Sequence, residues 1–580
     1  MADQKNLVVA FALSLIVLIG FQYLYIEPRE AERQRLAEET AAQSEQVEPP
    51  DALQTDLAPE FSTGAVVNEA PAAEPAAPQP PARRVALETA RLQGSISLRG
   101  GRIDDVVLAD YFDRIGEGAE NIRLFEQADS DDAYFGEFGW WARAEQGLSL
   151  PTGDTVWDAP DAALTTETPL VMTWDNGQGL AFTRTVEVDE NFLFTVTDTV
   201  TNTTPGDVAL GTYGRLNRNG TPDTLGFFIL HEGPVGVLGE TLEEVDYDDL
   251  RDVRNKDFAS QGGWIGITDK YWLAALIPDQ SSEINARFLY RSDGGPARYG
   301  TNYRTDREIV PAGGSYTVTH RLFAGAKEVE VIDSYEDAYN ITLFHKAIDW
   351  GWFHFLTRPL FYILHFFYGI AGNFGVAILL LTVLVKLAFF PLANKQYESM
   401  SKMKALHPKM IQLRERYADD KMRQQQELMA LYKKEKVNPL AGCMPILIQI
   451  PVFFALYKTL FVTIEMRHQP FFGWIKDLSA ADPLTPLNLF GLIPWDPPSF
   501  IAIGIWPLIM GLTMYLQQKM NPQPADPIQA KVLMAMPIVF TFILAPFPVG
   551  LVIYWTWNNV LSIAQQWVIM RRMGVSIGDG

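Results

Sequence analysis

Five apolar segments, at roughly 374–393, 442–464, 500–517, 533–546 and 549–569, contain no aspartate or glutamate. A sixth, residues 7–26, runs for twenty residues without any charge. About 20 apolar residues carry a helix across the hydrocarbon core, and in lipid only helices and closed barrels satisfy their own backbone. The sequence therefore predicts a multi-domain membrane protein with six helical spans, five of them forming an α-helical core. The fourth core segment is short and Pro546 and Pro548 separate it from the fifth, so these two are expected to make a tight hairpin. Residues 7–26 follow Lys5 and end in bulky Tyr23, Tyr25 and Ile26. A cleaved signal has a shorter apolar run and a small-residue cleavage site, so 1–26 reads as an uncleaved N-terminal anchor.

Charge is divided unevenly along the 580 residues. Residues 27–340 hold 25 Lys/Arg against 56 Asp/Glu, while the rest hold 22 against 14. Within the helical part, 394–441 has eleven basic and six acidic residues, whereas 465–499 has only Arg467 and Lys476 as cations. The positive-inside rule then places 394–441, 518–532 and both termini in the cytoplasm. The acidic region falls outside, which in a Gram-negative cell is the periplasm.

Residues 27–85 are rich in Glu, Ala, Gln and Pro, too poor in large apolar groups to offset ordering entropy, and read as a disordered periplasmic tether. Residues 86–340 change character. Alternating stretches such as 95–98, 181–188 and 192–200 lie between Gly/Asn/Asp/Pro clusters, and Asn-Gly pairs at 176–177 and 219–220 signal hairpins. This predicts one large antiparallel β-sandwich. The single cysteine, Cys443, allows no intrachain disulfide. Residues 341–372 are dense in Trp, Phe and Tyr but keep Lys346, Asp349 and Arg358, which suits one or two amphipathic helices in the membrane interface, broken at Pro359. The core then occupies 373–573, with a cytoplasmic helical hairpin over 394–437 and a short tail, 574–580. No metal-ligand spacing, phosphate loop or nucleophile elbow is present. No cofactor, catalytic residue, metal or small-molecule substrate is expected.

Lys386 is the most informative residue. It sits thirteen positions into its apolar span, on the order of 10 Å from the cytoplasmic end. Either its stem snorkels to the interface, or the ammonium faces a bundle interior or wet cavity. No core span offers it a carboxylate, which favours a cavity open to the cytoplasm. Thr382 shares its helix face. Gln449, Asn558, Asn559, Ser562 and Gln565 either line that cavity or bond helices together. In the hairpin, Tyr397, Met400, Met403, Leu406, Met410 and Leu413 recur at helical spacing. Its basic side chains, among them Lys402, Lys404, Lys409, Arg414 and Arg416, suit docking of ribosomal RNA, anionic lipid or a signal-bearing segment.

From Lys436 the chain reads KVNPLAGCMPILIQIPVFFALYKTL, preceded by NFGVAILLLTVLVKLAFFPLANKQYESMSKMKALHPKM and followed by DPIQAKVLMAMPIVFTF and FPVGLVIYWTWNNVLSIAQQ. Over about 340–573 this resembles the YidC/Oxa/Alb family of membrane protein insertases, in its Gram-negative YidC form. The resemblance implies a protein that inserts and helps fold membrane proteins, alone or beside the Sec translocon. It also implies a periplasmic β-supersandwich, and a hydrophilic inner-leaflet groove that is closed to the periplasm but open to the cytoplasm and to lipid. Nascent membrane proteins, lipid, the Sec translocon and the ribosome are the implied partners, although the longer basic tails that touch ribosomes are missing here. Lys386 stands where the family usually has arginine, keeping the charge and losing the planar fork. Gln449, Ile450, Pro451 and Phe453 fall on the family's client-contacting third span, and Trp555, after Tyr554, replaces a family tyrosine. Two other readings stay open at this point: a secondary transporter or channel using Lys386 as an anion site, and a carbohydrate-binding envelope scaffold led by the β domain.

Overall fold

The computed structural model describes residues 83–226, 230–292, 296–417, 420–435, 444–490, 492–493, 498, 502–521 and 527–572. The expected anchor, nearly all of the tether, and the tail lie outside the described residues. Residues 143–145 and 409–435 form one unit and the remaining described residues another.

Residues 84–326 build two antiparallel sheets, of ten and eight strands. The alternation read at 181–188 falls in strand Leu180–Val188, whose inward residues are buried while most of their neighbours are partly exposed. Gly177, at φ 66°, closes the hairpin between Leu170–Asp175 and Leu180–Val188. The second Asn-Gly pair behaves differently. Asn219 ends strand Val208–Asn219 of the larger sheet, and the next strand, Gly233–Leu238, belongs to the smaller one. Asn219-Gly220 is therefore a sheet-leaving turn and not a hairpin, because the pair fixes a local reversal and says nothing about which sheet receives the chain.

Charges buried between the sheets are paired. Arg184 and Asp198, almost fully buried, meet at 2.7 Å, and Arg184 Nη2 also donates to the Phe138 carbonyl of the opposite sheet at 2.8 Å. Glu137 lies between Arg102 (2.8 Å) and Arg215 (2.7 Å); despite burial, the two guanidiniums hold its carboxyl below the usual range. His320 is buried with Nδ1 2.7 Å from the Tyr303 hydroxyl, and burial pushes its pKa down to about 4. Unfolding exposes an imidazole that titrates near 6.5, so between about 6.5 and 4 the unfolded state binds more protons. His320 thus makes the β domain lose stability as pH falls through that window. His320→Gln should flatten the pH dependence of thermal unfolding there; an unchanged slope would show that the histidine does not contribute.

Among the described residues, one α-helix interrupts the strands and the others follow the last of them. The helices include α1 (Tyr247–Val253), inserted between strands, then α2 (Val329–Tyr339), α3 (His354–Ala371), α4 (Phe374–Ala388), α5 (Phe390–Arg416), α6 (Lys421–Lys434), α7 (Met444–Val462), α8 (Ile505–Met520), α9 (Pro527–Leu544) and α10 (Val549–Arg572). Asn373 caps α4 by accepting the Val376 N–H, and Gly372, at φ 64°, terminates α3. Pro359 lies inside α3 instead of breaking it. It falls in the second turn, where a proline removes a single backbone bond, and the Thr357 hydroxyl donates to the Phe353 carbonyl one turn earlier. The short connection between α9 and α10 is present, both helices pack on α8, and between them the Phe540 and Trp555 rings meet at 5.8 Å beside buried Leu544 and Val552.

Helices stand at all five core segments. Among the described residues, no single helix is both long and apolar enough to cross a membrane; α4 with Phe390–Ser399 passes as a pair bent by 67°. One buried apolar cluster extends from the sheets into α3, α4, α7 and α10.

Candidate functional site

Pro391 shapes the surroundings of Lys386. Lacking an N–H and clashing with the carbonyl four residues back, it ends α4 at Ala388 and lets α5 start in a new direction. Lys386 therefore occupies the last turn of its helix, closer to a helix end than an unbroken span to 393 implies. A cation suits that end, where backbone carbonyls lack partners. Its Nζ donates to Ser562 Oγ of α10 at 2.7 Å, and Ser562 Oγ donates to the Asn558 carbonyl at 2.7 Å. Tyr397 of α5 is buried beside the same serine. Among the described residues, no carboxylate lies within ion-pair distance of Lys386.

The other expected site residues separate into wall and surface. Thr382 is buried and donates to the Ile378 carbonyl of its own helix at 2.7 Å. Asn559 is buried and donates to Thr513 Oγ1 of α8 at 3.1 Å. Tyr554 is buried as well. All three are buried, their polar atoms engaged or covered. Gln565 bonds Asn394 at 3.0 Å, and Gln566 the Met520 carbonyl at 3.2 Å, so much of the polar content of α10 joins helices together. Ile450 is exposed, while Pro451, Phe453 and Trp555 are half-buried. The Phe453 and Trp555 rings meet edge-on at 4.6 Å. The Gln449 side chain lies outside the described residues.

In the hairpin read over 394–437, Lys402 and Arg416 are exposed and Arg414 is half-buried. Lys409 pairs with Glu435 at 3.0 Å, and Tyr432 reaches Met410 Sδ at 3.8 Å. The Lys404 side chain lies outside the described residues. Met422 and Met429 are exposed on α6.

Sequence reasoning missed a second polar cluster, where the C-terminal end of α7 meets the β domain. Lys458, buried in α7, pairs with Asp349 at 2.7 Å. Lys270 stands 3.8 Å over the Phe461 ring, and burial lowers its pKa to about 8. Glu465, just beyond α7, accepts the Val329 N–H at the start of α2 at 2.9 Å; burial raises its carboxyl to about 7. Arg467 donates to the Phe112 carbonyl and faces the Tyr271 and Trp272 rings. Lys458 was the one legible signal, as a second cation in an apolar segment.

Two family matches cover these parts. Residues 84–363 match the YidC periplasmic domain, and residues 366–575 match the 60Kd inner membrane protein family. A membrane protein insertase YidC from Beijerinckia indica subsp. indica is 50% identical over 99% of this chain and 97% of its own length. The chain belongs to the YidC family of membrane protein insertases. A second YidC, from Rickettsia conorii, is 46% identical over 98% of this chain and 99% of its own. A solved active YidC insertase overlaps 83% of this chain and 91% of its own at 16% identity and a TM-score of 0.34, too loosely to fix the arrangement of parts. As a YidC-family member the chain inserts proteins into the inner membrane and carries a periplasmic β domain; the family's activity is insertion, not a named catalytic reaction.

Proposed function

We propose that the chain works as a six-span insertase with both termini in the cytoplasm, admitting clients through a hydrophilic groove whose cation is Lys386. The observation carrying this reading is the Lys386 ammonium, held by the Ser562 hydroxyl with no carboxylate among the described residues to neutralise it. An intramembrane cation without a counter-ion attracts acidic or polar client segments. The client's own apolar span then drives insertion, since burying about 20 apolar residues is strongly favourable. Ile450, Pro451, Phe453 and Trp555 offer an apolar client-facing surface, with Thr382, Tyr554 and Asn559 forming its rigid backing. Gln449 belongs to the same stretch of α7. The hairpin cations Lys402, Lys404, Lys409, Arg414 and Arg416 would meet anionic lipid or the ribosome, and the chain would work alone or beside the Sec translocon. The domain limits read from the sequence belong to this reading, with the β domain opening at Arg84 and not at 86.

Site-specific photo-crosslinking tests the groove. A probe at Phe453 should form adducts with a stalled nascent membrane protein, whereas a probe at Thr382 should form few, because that position is covered. Adducts confined to positions away from α4, α7 and α10 would overturn the groove reading. A transporter would instead show solute flux in liposomes without insertion.

A further inference from the structure

The junction at the end of α7 contains an ion pair whose geometry does more than cover a charge. Lys458 extends across Gly351, where an added Cβ would stand 3.3 Å from the lysine Cε. Gly351 has φ 69°, a conformation that side chains rarely adopt. The ammonium ends on Asp349 at 2.7 Å. Asp349 is itself fixed from two other directions: Oδ2 accepts the His231 N–H of the β domain at 3.1 Å, and Oδ1 accepts the Gly351 N–H at 3.1 Å. One residue further along α7, Thr459 Oγ1 contacts the Thr357 carbonyl of α3 at 3.2 Å. Two turns before Lys458 stands Pro451, inside the helix. It removes one backbone bond and supplies a bending point.

We propose that Lys458 and Asp349 form a positioning latch for insertion, holding the C-terminal half of α7 fixed while the helix bends at Pro451 as a client passes Phe453. Asp349 ties α7 at once to the link before α3 and, through His231, to the β domain. A buried ion pair is weak evidence of a stabilising role, because well-packed apolar groups often serve equally well. What it provides is one defined position for the helix. Lys458 and Asp349 touch no client and act through the placement of α7. The proposal rests on the groove reading only in taking α7 as a client-facing helix.

The test uses the full chain in proteoliposomes with a single-span client at varied concentration. Lys458→Met and Asp349→Asn should lower the maximal insertion rate roughly fivefold and leave the half-saturating client concentration within twofold, since the client-facing surface is intact. Lys458→Arg, which keeps the charge, should restore most of the rate. Thermal unfolding in detergent serves as the folding control, and Asp349→Asn, nearly isosteric, keeps the test valid if Lys458→Met accumulates poorly. A maximal rate within twofold of wild type in both variants would overturn the latch. So would Lys458→Arg being as impaired as Lys458→Met. Loss of Phe453 adducts in wild-type protein, with the rate effects intact, would instead count against the groove alone.

Discussion

Lys386→Glu should reduce insertion of clients with acidic translocated tails at least tenfold, whereas Lys386→Arg should keep activity near wild type. Two unit charges about 4 Å apart interact by about 4 kcal/mol at an effective dielectric near 20, and reversing one sign turns that attraction into repulsion. Tenfold corresponds to only about 1.4 kcal/mol, so the expectation survives heavy screening by water in the groove. The site accommodates arginine chemically, since the partner at 2.7 Å is a hydroxyl oxygen that accepts from a guanidinium as readily as from an ammonium. Clients with neutral or basic tails should be affected far less. Complementation of depleted cells, read by protease protection of the client tail, measures both effects. Equal insertion by all three proteins would remove the electrostatic role of this position.

The second large effect concerns stability. Arg184→Met should destabilise the β domain by about 3–5 kcal/mol, because it strands a buried carboxylate. Asp198 is completely buried, and both of its oxygens take their charged hydrogen bonds from Arg184, at 2.7 and 2.8 Å. For a domain of this size, each kcal/mol moves the midpoint by about 2–4 °C, so the melting temperature of the full chain's β domain should fall by roughly 10 °C. The pair Arg184→Met with Asp198→Leu should recover much of that loss, since removing both charges leaves nothing unpaired. A single variant that melts with wild type would mean that water or a rearranged donor satisfies Asp198.

Much of the architecture was legible because it rests on local pattern. Alternation marked 181–188 as a strand, and glycine after Asn176 marked its hairpin. Asn219-Gly220 carried the same signal yet led into the other sheet, because a turn's residues fix its local conformation and not the destination of the chain. Lys386 was conspicuous as a charge in an apolar run, and Ser562 was visible among the polar residues of the last span. That the serine would hold the lysine depends on the rotation of α10 against α4, which neither segment encodes alone. The end of α4 was harder to place. The apolar run continues to 393 straight through Pro391, but a proline disfavours helix at its own and the preceding position, so α4 stops at Ala388. The same residue type at Pro359 stopped nothing, sitting early in a helix whose next turns pack on α4 and α7. Lys458 went unread because its meaning lies in Asp349, far away in sequence and just outside the apolar segments.

The strand Ser315–Ala326 pairs with Leu193–Asn202 on one side and Trp272–Ile277 on the other. It joins a three-strand meander from 170–202 to a group of four strands from 233–277. The last strand to be synthesised is thus the keystone, and the smaller sheet exists as two halves with open edges until residue 326 has been delivered. Closing such distant pairs is slow, and open edges invite pairing with other chains. Premature arrest of translation before this strand would therefore release an aggregation-prone fragment. Arrest a few residues later, at the start of α2, would release a sheet already closed, so the vulnerable interval in the protein's own biogenesis ends just before its core helices begin.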